Sequence, residues 1–184
     1  MRPPHLLRKE DAALVVIDLQ EKLVNMVHNR EDLLKRANLI IETAKVCGIP
    51  LVMTEHYPQG LGYTVEEVKE HLPEYRPVLK RIFSCCGVEE FVRAVEATGR
   101  SQLMVVGIET HICVSQTVHD LLHRDYQVHV LADACGTRFP QDHALGLEKM
   151  RDAGAIIDST EMAVYELVER ADTDLFKQIL KLVK

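Results

Sequence analysis

Short apolar runs alternate with helix-patterned stretches along this chain, and that alternation restricts the fold more than any other feature. Ala13–Ile17 is continuously apolar and ends at Asp18, the pattern of a strand buried on both faces. Leu33, Leu34, Ala37, Ile40, Ile41 and Ala44 then recur at helical spacing. Asn29 reads as the N-cap of that helix, Glu31 and Asp32 fill its first turn, and Gly48 and Pro50 stop it. The patterning predicts further strands at Ile49–Thr54, Val78–Phe83, Gln102–Ile108, Gln127–Ala132 and Ala155–Ile157. Between them it predicts a Pro/Gly loop at His56–Gly62, a short helix near Val65–Glu70, and helices at Val88–Ala97, Ile112–Arg124 and Gln141–Ala153. Glu161–Glu169 and Asp174–Val183 close the chain as helices.

Strands that alternate with helices imply parallel crossovers and a sheet covered on both faces. The chain therefore reads as one α/β domain over residues 1–184, a Rossmann-like three-layer sandwich around a mostly parallel six-stranded sheet. In such sheets a ligand lies beyond the carboxyl ends of the strands, where strand order reverses. That places Asp18, Glu55 with His56, Phe83 to Cys86, Ile108 to Cys113, and Asp133 to Arg138 in the region where chemistry is expected.

Composition narrows the partners. The net charge of -6 comes from 22 basic and 28 acidic residues, with no basic stripe of the kind nucleic acid demands. Ala12–Ile17 is too short to span a bilayer, and Met1–Glu10 has no signal-peptide core, so a cytoplasmic location is expected. The five cysteines form no CxxC pair and no Cys/His spacing typical of zinc; in a cytosolic chain they are expected to be reduced.

Two residues carry chemistry on position alone. Asp18 ends an apolar strand, where a carboxylate is costly unless paired. It is either a structural ion pair or N-cap, or a general base held on a rigid element. Cys113 follows Gly107-Ile108-Glu109-Thr110-His111-Ile112 and enters a helix, which places it in the first helical turn. There the free N–H groups favour a thiolate, although a free cysteine also serves as a small buried hydrophobe. Cys47 and Cys135 read as packed residues, and Cys85 and Cys86 as possible pocket lining. Lys80 and Arg81 point to opposite faces of a strand, where solvated cations are the ordinary reading.

Taken together, the segments resemble the isochorismatase-like hydrolases, the cysteine hydrolase superfamily that includes nicotinamidases. Val15-Val16-Ile17-Asp18-Leu19-Gln20, Lys80-Arg81-Ile82-Phe83-Ser84, and Gly107 through Thr117 followed by Asp133-Ala134-Cys135 carry the resemblance, over roughly residues 12 to 160. Thr54-Glu55-His56-Tyr57-Pro58-Gln59-Gly60-Leu61-Gly62 is similar to the branch of isochorismatase domain-containing proteins. The resemblance implies a triad of Asp18, Lys80 and Cys113. It also implies a cis peptide at Ile108–Glu109, with the N–H groups of Glu109 and Cys113 as oxyanion hole. Nicotinamidases hold a metal through Asp-x-His and a further His. Here the stretch reads Glu55-His56-Tyr57, so no metal or other cofactor is expected, with His56 and His71 as the residual ligand candidates. Candidate pocket walls are His56, Tyr57, Phe83 and Phe139.

The reading that follows is a hydrolase of a small amide or related acyl compound, working through a thioester on Cys113. Vinyl-ether hydrolysis, the reaction of isochorismatases that lack the cysteine, is disfavoured. The rival is a non-hydrolytic small-molecule-binding or redox-responsive protein with a reactive thiol. A generic nucleotide-binding domain is not supported, because neither G-x-G-x-x-G nor G-x-x-x-x-G-K-[ST] occurs. A homo-oligomer is expected from the resemblance, through the His119–His123 helix face or the C-terminal helices.

Overall fold

The computed structural model describes residues 3–183. Their order is β1 (Ala12–Ile17), α1 (Glu21–Val24), α2 (Arg30–Cys47), β2 (Leu51–His56), α3 (Pro58–Leu61), α4 (Glu66–Lys69), β3 (Pro77–Lys80), α5 (Glu89–Ala97) and β4 (Gln102–Ile108). Then come α6 (Ser115–His123), β5 (Gln127–Gly136), α7 (Pro140–Asp152), β6 (Ile156–Asp158), α8 (Thr160–Val168) and α9 (Asp174–Val183). The six strands form one sheet in the order β3-β2-β1-β4-β5-β6, with every pairing parallel.

The central strands are apolar throughout because both faces are covered. Leu14 and Val16 of β1 pack with Met104 and Val106 of β4 against α2, α8 and α9. Ala13, Val15 and Ile17 pack with Leu103 and Val105 against Phe91 of α5, Val118 of α6 and Met150 of α7. Each fully buried aliphatic side chain contributes roughly 1.5–3 kcal/mol relative to exposure, which outweighs the strand bias for alternation. No helix among the described residues is long and apolar enough to cross a membrane.

The strand order reverses between β1 and β4, so their carboxyl ends open the crevice typical of such sheets. Gly107 makes the close approach possible. It has φ 132°, and a Cβ there would lie 2.0 Å from the Ile17 carbonyl oxygen, so no other residue fits.

The sequence-based boundaries need several corrections. β3 ends at Lys80 rather than Phe83, because the chain bends to carry Arg81–Ser84 toward a short 3₁₀ turn at Cys85–Gly87. β5 does not stop at Ala132: after an irregularity, Cys135 and Gly136 rejoin β4 opposite Gly107 and Ile108. Pro58–Leu61 is a helical turn inside the expected loop, and α1 was not anticipated. A four-residue helix is too short to show a period.

Candidate active site

Asp18 leaves β1 in a left-handed conformation, φ 53°, one that aspartate tolerates better than most residues. Its N–H donates to the Thr54 carbonyl at 3.2 Å, and the Thr54 hydroxyl donates to Asp18 Oδ1 at 2.7 Å. Asp18 Oδ2 lies 2.6 Å from the Lys80 ammonium, with both side chains fully buried. Beyond that ammonium, Oδ2 has no hydrogen-bond partner. One oxygen is thus fixed by Thr54, while the other keeps accepting capacity beside the lysine.

Lys80 reaches the same point from β3. Its Nζ donates to the Phe83 carbonyl at 3.1 Å and lies 3.4 Å from Cys113 Sγ. It also lies 3.4 Å from His56 Nδ1. Burial works against its charge, but Asp18, Cys85 and Cys113 outweigh burial and raise its pKa. The edge-strand lysine is therefore buried rather than solvated, and its neighbours favour its charged form. Burial, followed by the Lys80 charge, lowers the pKa of His56, which stacks on Phe83 at 5.7 Å.

Cys113 does not lie in the first turn of an α-helix. It sits in a π-type turn, Thr110–Val114, that precedes α6, and it is 6% exposed. The expectation of a resting thiolate is corrected accordingly. Burial first, and then the Asp18 charge, push the thiol up to about 12 despite Lys80. That direction favours the protonated thiol at neutral pH. The turn is closed by the Thr117 hydroxyl, which donates to the Cys113 carbonyl at 2.6 Å.

The peptide Ile108–Glu109 is cis. The Glu109 carboxylate accepts from the Arg138 backbone N–H at 3.0 Å and from Arg138 Nε at 3.0 and 3.2 Å. Of the wall candidates, His56 and Phe83 flank Lys80. Tyr57 packs under the Arg81 guanidinium at 4.8 Å, and Phe139 under that of Arg138 at 5.7 Å.

The residual metal candidates bond to different partners. Glu55 Oε1 accepts from Thr64 N–H, the Thr64 hydroxyl and the Tyr75 hydroxyl, at 2.7, 2.8 and 2.5 Å. His71 pairs with Glu42 at 3.0 Å, and His56 faces Lys80. Among the described residues, potential metal ligands gather instead at His129, Asp158 and Glu166, within 4.8 Å of one another on the α8 side of β5 and β6.

Sequence reasoning missed several participants. Gln20 clamps the crevice by donating to the His56 and Gly62 carbonyls and accepting from the His56 N–H. Its place two residues after Asp18 was the available signal. Thr54, Thr117 and Arg138 lie inside segments singled out above, but their partners were not marked there: Thr54 meets Asp18 and Arg138 meets Glu109 between neighbouring strand ends, and Thr117 reaches back one turn to the Cys113 carbonyl. Cys85 is buried beneath Thr54, its sulfur 3.7 Å from the Thr54 hydroxyl, and burial holds its thiol near 12.

The family model of the isochorismatase domain matches residues 12–162. Isochorismatase domain-containing protein 2A of Mus musculus is 38% identical over 95% of this chain and 84% of its own length. The structure of MAR1 ribonuclease from Caenorhabditis elegans is 35% identical, with TM-score 0.91 over 97% of this chain and 92% of that one. The YcaC gene product of Escherichia coli, described as an octameric hydrolase of unknown specificity, is 25% identical, with TM-score 0.92 over 99% and 92%.

Proposed function

The chain belongs to the isochorismatase family, and from that premise we propose a cysteine hydrolase of a small amide or related acyl compound. The observation that carries this reading is the buried Lys80 ammonium, which lies 2.6 Å from Asp18 Oδ2 and 3.4 Å from Cys113 Sγ. Asp18 takes the thiol proton as sulfur attacks the carbonyl carbon. Lys80 stabilises the charges on either side of that transfer. The N–H groups of Glu109 and Cys113 receive the developing oxyanion. The amine leaves with the proton from Asp18, and a thioester remains. Water then attacks the thioester and passes its proton to Asp18, the carbon–sulfur bond breaks to release the acid, and Asp18 returns the proton to the Cys113 sulfur.

Incubation with a panel of primary amides should yield a thioester on Cys113, detected by intact mass and peptide mapping. Cys113→Ala should lower turnover by about 10³-fold or more, as removal of a covalent nucleophile does, while circular dichroism stays unchanged. Full activity of Cys113→Ala on a genuine substrate would sink the covalent mechanism. The non-hydrolytic alternative is favoured by silence across the whole panel.

The ribonuclease name of the Caenorhabditis elegans neighbour motivates a second reading, in which the substrate is RNA. The net charge of -6 opposes it, and a labelled oligoribonucleotide in the same panel tests it. The octameric description of YcaC supports a homo-oligomer, which sedimentation measures directly.

A further inference from the structure

Two charge pairs border the strand ends that carry Cys113. Asp18 is matched by Lys80 at 2.6 Å, both of them buried. Glu109 stands four residues before the thiol, and its carbonyl accepts from Ile112 and Val114 as the turn wraps over it. Its carboxylate is 7% exposed and meets Arg138 through both the guanidinium and the backbone N–H. Arg138 reaches Glu109 because Gly136, at the end of β5, pairs with Ile108, at the end of β4. Among the described residues Arg81 pairs with no carboxylate, but it is exposed beyond β3 and covers the Tyr57 ring, whereas Lys80 is buried beside the thiol.

We propose that this site selects uncharged acyl compounds and discriminates against substrates that carry a carboxylate or phosphate next to the reacting carbon, with the Glu109–Arg138 pair setting that preference. An anion entering the crevice gives up its hydration and finds no net positive charge to replace it. A primary amide needs only hydrogen bonds there. Arg138 alone would attract a carboxylate; Glu109 removes that attraction. The proposal rests on Cys113 being the nucleophile, and it excludes RNA as well as dianionic small molecules.

Iodoacetamide and iodoacetate test it, because they react by the same step and differ in charge. In each, the sulfur–carbon bond forms as the carbon–iodine bond breaks, iodide leaves, and the thiol proton passes to Asp18. Site-resolved mass spectrometry separates Cys113 from the other cysteines, and glutathione supplies the intrinsic rate ratio of the two reagents. The amide-over-acid ratio at Cys113 is expected to exceed that of glutathione about tenfold or more, as one unneutralised charge at short range would give. Glu109→Gln should shrink the ratio, and Arg138→Gln should widen it, each by about tenfold. Opposite shifts cannot come from misfolding alone. Arg81→Ala, on the outer side of β3, should leave the ratio within about twofold, since exposed charges are screened.

A ratio equal to that of glutathione, or one unmoved by both variants, overturns the proposal and leaves the thioester reading intact. The expected selectivity with no amide hydrolysed would break the thioester reading and support this one. No label on Cys113 from either reagent overturns both.

Discussion

Among the described residues, two buried polar pairs in this sheet differ in what lies beside them. Asp18 and Lys80 meet at the centre, where strand order reverses; His129 and Asp158 meet toward the β6 edge at 2.7 Å. Both are almost fully excluded from solvent, and each leaves one atom without a hydrogen bond, Asp18 Oδ2 in the first and His129 Nε2 in the second. Only in the first does the unused capacity lie beside an ammonium that also touches a thiol. A buried polar pair by itself therefore does not single out a candidate site. The adjoining thiol and the crevice do.

Replacing Asp18 with Asn is the strongest way to break this contrast. Loss of a general base should reduce turnover about 10²–10⁴-fold. The thiol should nevertheless become more acidic, because burial and Asp18 both raise it and only burial remains, while Lys80 is left without its carboxylate. Absorbance at 240 nm should then reveal thiolate at lower pH than in the parent protein. Unchanged turnover, or a thiolate appearing only at higher pH, would remove Asp18 from the role of base.

His129→Leu tests the other pair. It leaves the buried Asp158 carboxyl without the hydrogen bond to His129, which should cost about 1–3 kcal/mol in urea unfolding. The kcat of the folded fraction should not change. A fall in kcat with intact stability would mean that the two regions are coupled and the contrast is false.

Thr54→Val sharpens the contrast within the central cluster. The hydroxyl holds Asp18 Oδ1 at 2.7 Å, and a hydrogen bond to a charged group contributes about 1.5–3 kcal/mol. If much of that orients the base, kcat should fall about tenfold or somewhat more with KM nearly constant, and Thr54→Ser should restore most of it. Equal loss in Thr54→Ser would show that packing, and not the hydroxyl, matters there.

Particular elements show how far the chain could be read in advance. β1 and β4 were legible because strands covered on both faces must be apolar throughout, and this chain keeps that rule from Ala12 to Ile17 and from Leu103 to Ile108. α2 announced itself through its period and through Gly48, which adopts the left-handed cap conformation. The four-residue α1 and α3 did not, since four residues carry no period, whereas the equally short α4 was expected near Val65–Glu70. Asp18 and Cys113 stood out by position, whereas Lys80 looked like an edge-strand cation until its spacing to the other two matched a family. Its burial follows from the bend after β3, which no local pattern encodes.

The apolar runs and their spacing determined the three-layer architecture, because burial on both faces of a parallel sheet dictates composition residue by residue. They also determined that Asp18 and Cys113 lie past strand ends. Only the tertiary structure decided that the protonated thiol is favoured, because desolvation and the Asp18 charge act on Cys113 from elements far away in sequence. Only the fold decided that Glu109 and Arg138 pair with each other, because β4 and β5 end side by side and the residues just beyond them meet there. Local sequence sets which face of an element is greasy; which charges share a crevice is set by how the strands are ordered.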